Sequence, residues 1–398
     1  MMHPLFRKPV ALAMAGLLAA AAVAAGPSAR TATAAEGAAS FTYKPGPVEP
    51  FLPLDEIRKG WAQTESKLMP QRVPVKGIYL TAYSASHADV FDELLALVDR
   101  TELNAMVVNV KDDWGNIAFN MEQRLAIEAG SIHPELGDLK AFTDTLRAKK
   151  IYSIARIVTF KDTFVPKVRP DLGVASTNGG LWRDFNGVTW MNPFNRAVWE
   201  YVVDIAKGAA LGGFDEIQFD YVRFPSDGVM SLLAYPGQDS RAKQQVIADF
   251  LAYARKELRP YGVWVSADVF GLVTSLYDDL GIGQHLEELS ASVDYLSPMV
   301  YPSHYIPGNL NLANPNAMPY ETIYRSMLDT KDRWEKAGLT GKVEMRPWLQ
   351  DFSWGHPYGP NEVKAQIQAT YDAGYKEWLL WNAANVYTEA ALQSAGKE

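Results

Sequence analysis

Two aspartates close neighbouring strand-like runs and could carry acid–base or nucleophilic chemistry. Asp220 lies in Phe214-Asp215-Glu216-Ile217-Gln218-Phe219-Asp220-Tyr221-Val222-Arg223-Phe224-Pro225. Alternate side chains of a strand share a face, so Gln218 and Asp220 sit together while Ile217, Phe219 and Tyr221 cover the other side. Asp268 shares a face with Ser266 in the run 264–270, and Val263, Val265 and Ala267 turn toward helices. Such a pair is what glycosidic cleavage needs: one carboxylate attacks or stabilises the oxocarbenium-like centre, and the other carries a proton for the leaving oxygen. Asp220 is read as the nucleophile and Asp268 as the acid/base. Arg156, on a face with Ile154 and Val158, is the cation that would favour ionised Asp220, and desolvation beside Val269 and Phe270 would hold a proton on Asp268. Each has a structural alternative: Asp220 as a partner of Arg223 or a loop cap, Asp268 as a brace for the next loop, Arg156 as a neutraliser of buried acids.

The same alternation puts Tyr301 with Ser297 and Met299, and Trp348 with Arg346 and Gln350. In 107–113, Asn109, Lys111 and Asp113 form one face and Asp112 the other, so parity there is ambiguous. Sugars stack their C–H faces on flat rings. Trp114, Trp182, Trp190, Trp354 and Trp381 fall in or beside loops that follow strands, and the run 180–193 reads as a glycan wall. Arg223 falls opposite Asp220 by parity, which favours a structural role unless the strand bulges. The substrate-binding set is therefore Arg156, Tyr301, Trp348, Trp381, Trp190, Asp112, Asp113 and Arg223.

Eight strand candidates must position these groups: 75–82, 105–111, 152–159, 216–224, 263–270, 295–301, 343–350 and 377–382, each short and rich in Val, Ile or aromatic residues. Helical patterns at 89–100, 138–149, 196–210, 241–258, 284–292, 320–337 and 361–373 alternate with them. Gly262, Gly341 and Gly374 punctuate helix-to-strand joins. This order predicts an α/β fold, a single (β/α)8 barrel over 73–398, with long loops after strands three, four and six at the face where such barrels build their sites.

The 398 residues suffice for one barrel plus a leader, and the net charge of −8 with no basic block argues against a nucleic-acid partner. Residues 1–35 read as a secretory signal: Arg7 and Lys8, an apolar run over 10–25, and Ala32-Thr33-Ala34 as one cleavage site, with Ala25 as an earlier one. The apolar run is shorter than the ~20 residues a spanning helix needs, which disfavours an uncleaved anchor, and no other segment could cross a bilayer, so no stable membrane insertion of the mature chain is expected. Export points to a periplasmic, cell-envelope or extracellular location. Residues 36–72 read as a linker and entry segment. The chain has no cysteine, which excludes disulfides and Cys-ligated zinc. No G-x-S-x-G elbow, P-loop or H-E-x-x-H appears, and His87, His133, His285, His304 and His356 have no metal-ligand spacing, so no cofactor or metal is expected.

The run from Phe214 to Pro225, together with residues 75–81 and Val300-Tyr301-Pro302-Ser303-His304-Tyr305, resembles the bacterial glycosyl hydrolase family once called domain of unknown function 4015. The resemblance covers 73 to about 387. It implies a TIM barrel and glycosidase activity. The alpha-amylase clan, to which the pattern is distantly similar, places a nucleophilic Asp after strand four and an acid Glu after strand five; Asp268 stands where that Glu would be. Family-18 chitinases end strand four with a Glu two residues after an Asp, and Val222 occupies that place here. The expected function is hydrolysis of a poly- or oligosaccharide. Its rivals are a non-catalytic glycan-binding barrel of the cell envelope and a metal-dependent carbohydrate esterase.

Overall fold

The computed structural model describes residues 69–395. The leader at 1–35 and nearly all of the entry segment at 36–72 lie outside the described residues. Eight parallel strands close on themselves: β1 (Lys76–Leu80), β2 (Ala105–Lys111), β3 (Tyr152–Val158), β4 (Glu216–Asp220), β5 (Trp264–Phe270), β6 (Tyr295–Met299), β7 (Trp348–Gln350, preceded by Glu344–Met345) and β8 (Trp378–Trp381). Each pairs with its successor, β6 reaches β7 at Met299–Trp348, and β8 returns to β1. The helices α1 (Ala88–Arg100), α2 (Leu139–Ala148), α3 (Arg196–Leu211), α4 (Lys243–Leu258), α5 (Leu286–Ser292), α6 (Pro319–Lys336) and α7 (Pro360–Asp372) fill the intervals. This is the predicted (β/α)8 barrel. After β8 the described residues hold only a short 3-10 turn at Glu389–Ala391.

Strand alternation divides the apolar residues into two cores. Ile78, Val108, Ile217, Phe219, Val265 and Ala267 pack outward against the helices, whereas Tyr79, Val107, Ile154, Tyr301, Trp348 and Leu379 fill the barrel. Local signals fix the helix starts: Asp138 caps α2 by accepting from the Lys140 and Ala141 amides, and Asn195 caps α3 by accepting from that of Ala197.

Two strands depart from the sequence reading, each for a local reason. β4 stops at Asp220 because Tyr221 turns into the left-handed region at φ 47°, a conformation a side-chain-bearing residue adopts only at some expense. The seventh strand is interrupted at Pro347, which has no N–H for the ladder. The connections after strands three, four and six are long as predicted, but 112–138 after β2 is long as well. A two-stranded ribbon, Ala175–Ser176 with Leu233–Ala234, ties the loop after β3 to the loop after β4.

A buried ion network floors the barrel. Glu216 accepts from Arg346 Nη1 at 2.8 and 2.9 Å, from Tyr152 Oη at 3.0 Å and from Ser266 Oγ at 2.5 Å. Arg346 also donates from Nε to Glu377 at 2.7 Å and lies 3.9 Å over the Tyr295 ring. Removing one member of such a pair strands the other charge in a poor dielectric. Arg346→Met is accordingly expected to lower unfolding free energy by about 3–5 kcal/mol, and adding Glu216→Gln should recover most of it, read by urea denaturation. Equal losses in the single and double variants would contradict that account.

Candidate active site

At the opposite end of the barrel the inward side chains of several strands converge. Arg156 reaches up from β3 to Asp220, donating to Oδ2 from Nη2 at 2.6 Å and from Nε at 3.0 Å. It also donates to Asn109 Oδ1 at 2.8 Å and to Asp113 Oδ1 at 3.3 Å. The second oxygen of Asp220 accepts from the Tyr221 amide at 2.6 Å, so the left-handed turn that ends β4 also fixes the carboxylate. Burial alone would lower the Arg156 pKa, but the Asp220 and Asp113 charges outweigh it and hold the guanidinium well above its ordinary value.

Asp268 stands on β5, one step beyond the Phe219–Ala267 rung that joins β4 to β5. Only 1% of it is exposed, against 5% of Asp220. Trp348 Nε1 donates to Asp268 Oδ1 at 2.8 Å. Burial, and then the charge of Asp220, push the Asp268 carboxyl well above the usual carboxylate range, while the indole hydrogen bond opposes them. The indole can only donate, so Oδ1 acts as an acceptor and a proton on this acid belongs on Oδ2.

Aromatic residues line the space above. Trp381, half-buried, stacks on Tyr79 with ring centroids 4.1 Å apart and meets Trp348 edge-on at 5.6 Å. The Arg156 guanidinium lies 5.4 and 5.6 Å from the Trp381 and Tyr79 rings. Tyr301 is buried against Phe352 and His304, and its hydroxyl pKa is raised by burial and by the charges of Asp268 and Asp220. Burial lowers the His304 pKa to about 4, so that ring is neutral over most of the pH range.

The arrangement brings together Asp220, Asp268, Arg156, Asp113, Tyr301, Trp348 and Trp381. Two predicted contacts are placed otherwise. Trp190 has no accessible surface; its Nε1 donates to Asp184 at 3.3 Å and it offers no ring face to a ligand. Trp182 is buried likewise, so the stretch 180–193 packs its tryptophans inward and leaves Phe185 outside. Asp112 is committed to its own loop, accepting at Oδ1 from the amides of Trp114, Gly115 and Asn116 and at Oδ2 from the Asn116 side chain. Arg223 follows the turn at Tyr221, where strand parity ceases to apply, and is buried among rings.

Tyr79 and Asn109 belong to the site but were not selected from the sequence. Carrying the period of two through β1 would have turned Tyr79 inward with Gly77. The face of β2 was obscured by a register shift between Asn109 and Lys111, which sends Lys111 to a buried ion pair with Asp162 at 3.0 Å. Trp381→Ala is expected to weaken glycan binding roughly tenfold with little loss of stability, whereas Trp190→Ala should destabilise by about 3–5 kcal/mol through the cavity it leaves. Isothermal titration and thermal unfolding on both variants separate the two roles, and the reverse pattern would exchange them.

Among solved structures, a hypothetical protein from Ruminiclostridium thermocellum is 35% identical over 51% of this chain and 98% of its own, with a TM-score of 0.45. The glycoside hydrolase domain of PgaB (BpsB) from Bordetella bronchiseptica is similar at 15% identity and TM-score 0.57, covering 78% of this chain and 94% of that one. Alpha-L-fucosidase isoenzyme 2 from Paenibacillus thiaminolyticus is similar at 14% identity and TM-score 0.52, over 80% of this chain and 48% of that one. At 15% and 14% identity the likeness to the last two is one of fold. No curated protein matches the chain. The model of domain of unknown function 4015, described as "Putative glycosyl hydrolase domain", matches residues 77–387, and the chain belongs to this family of glycosyl hydrolase barrels.

Proposed function

We propose that the chain is an exported glycoside hydrolase that cleaves a polysaccharide or oligosaccharide, with Asp220 as nucleophile and Asp268 as acid/base. The observation that carries this reading is the contrast between two neighbouring carboxyl groups: Asp220 is ion-paired with Arg156, while Asp268 is desolvated and pushed toward its protonated form. Opposed environments of this kind divide the nucleophile from the acid. Asp220 attacks the anomeric carbon as the Asp268 proton passes to the leaving oxygen. Water, deprotonated by Asp268, then releases the glycosyl group from Asp220. With Asp220 as nucleophile the mechanism is a retaining one, in which the two carboxyl groups stand roughly 5 Å apart and leave no gap for a water between them. The Tyr79–Trp381 stack supplies a ring surface for the sugar, and Asp113 offers an acceptor for its hydroxyls. Export is supported by the basic start and apolar run of the leader.

One observation favours a second reading, a non-catalytic glycan-binding barrel: Asp268 is almost entirely covered. A glycan panel with product analysis, run on the mature chain beside Asp220→Asn, decides between them. The hydrolase cuts at least one glycan and the variant binds it uncut. If neither protein cuts any glycan while several bind, the binding barrel replaces the hydrolase.

A further inference from the structure

Arg223 is a buried cation beside the acid pair that takes no part in it. Arg223 is 3% exposed, and its Nη1 donates to the Phe224 carbonyl at 3.0 Å and to Ser226 Oγ at 3.1 Å. Its guanidinium lies against three rings, 4.9 Å from Trp190, 5.1 Å from Tyr221 and 4.8 Å from Phe270. Among the described residues no carboxylate forms an ion pair with it; Asp227, Asp220 and Asp184 act on it only at longer range, and burial lowers its pKa. A second cation, Lys161, sits 5.1 Å from the same Tyr221 ring and 3.4 Å from Asp184. Asp184 is already engaged by the Asn186 and Val188 amides and by Trp190. The other acid nearby, Asp227, has its carboxyl pushed upward by burial. Of these two buried cations only Lys161 has an ion-pairing carboxylate.

A guanidinium kept out of water without an anion is unfavourable, and a planar group with two oxygens is its natural complement. The location ties this positive charge to the acid pair. Tyr221 follows Asp220 directly and holds its ring in place through a left-handed backbone, and Phe270 lies two residues beyond Asp268 on β5. Strain of this kind persists where the surroundings enforce it. Gly228, in the same loop, is required because a Cβ there would enter the Trp182 ring, so the segment carrying Arg223 is packed down rather than loose.

We infer that Arg223, with Lys161 beside it, forms an anion-accepting subsite flanking the two aspartates, and that the substrate is a glycan bearing a carboxylate or sulfate group near the scissile bond. The inference rests on the proposed hydrolase site and names its substrate class. The net charge of −8 disfavours a polyanion held along its length, whereas one buried guanidinium with no ion-pairing carboxylate calls for one anionic group held locally.

The test titrates wild type and Asp220→Asn with uronic-acid oligosaccharides, with the same oligosaccharides after carboxyl reduction, and with sulfated neutral oligosaccharides, while cleavage is followed separately in wild type. A charge-assisted contact predicts that an acidic form binds about 10- to 100-fold more tightly than its neutral counterpart. Arg223→Gln removes the difference, and Arg223→Lys keeps only part of it because an ammonium cannot pair in a planar fork. The carboxylate and sulfate arms tell which anion the subsite takes. Equal affinity of wild type for charged and neutral forms, or a preference that survives Arg223→Gln, overturns the subsite even where glycans are cleaved. Should Arg223→Gln fail to fold, the wild-type comparison decides alone. A preference for the charged forms with no glycan cleaved removes the hydrolase reading and leaves the subsite standing.

Discussion

Asp220→Asn is expected to lower turnover on the order of 10³-fold or more and, separately, to lower unfolding free energy by about 3–5 kcal/mol. The two losses have different origins. Turnover falls because an amide is a poor nucleophile toward the anomeric carbon. Stability falls because Arg156, 2% exposed, keeps its charge and loses the oxygen that receives both its Nε and its Nη2. Its remaining hydrogen-bond partners are Asn109, which is neutral, and Asp113, which is about half exposed and sits at 3.3 Å. Neither replaces a buried carboxylate. Adding Arg156→Gln to Asp220→Asn should therefore restore most of the stability and none of the turnover. Single-turnover kinetics on a cleaved glycan and urea denaturation read the two quantities independently. Full turnover in Asp220→Asn would reduce Asp220 to a structural partner of Arg156.

The alternation that placed Asp220 and Asp268 in the barrel mouth also placed Arg156 there, because parity survives wherever a strand is regular, and it carried past the end of β6 to Tyr301 and across the break at Pro347 to Trp348. It failed at two other irregularities. The shift in β2 between Asn109 and Lys111 hid which face held Asn109, and the left-handed Tyr221 ended β4 before Arg223. A positive φ at a tyrosine leaves no signature in residue type, since the usual marker is glycine. Loop tryptophans fared worst. Nothing in the run 180–193 tells that Trp182 and Trp190 turn inward, since that depends on Gly228 and Asp184 meeting them from another part of the chain or across a turn. Asp112 and Asp113 are adjacent and chemically identical in sequence. Three local amides claim the first, and a partner 43 residues away marks the second.

Asp268→Asn should lose turnover by about 10²–10⁴-fold, as removal of a general acid does, yet gain stability relative to wild type as pH rises. In the folded chain the Asp268 carboxyl is raised well above the usual carboxylate range, chiefly by burial. Once the pH passes the ordinary carboxylate value, the unfolded chain has released this proton and the folded chain still holds it. The folded state then binds more protons than the unfolded state, so wild-type stability declines with rising pH until the folded group also ionises. Asparagine has no proton to lose, and its amide oxygen can still accept from Trp348 Nε1. The stability difference should accordingly be small near pH 4 and widen in the variant's favour above it, opposite in sign to the loss at Asp220. Superimposable pH profiles of unfolding for wild type and Asp268→Asn would show that Asp268 is not held protonated. An acid ionised in the resting site has no proton to give the leaving oxygen, and the retaining mechanism built on it would fail with it.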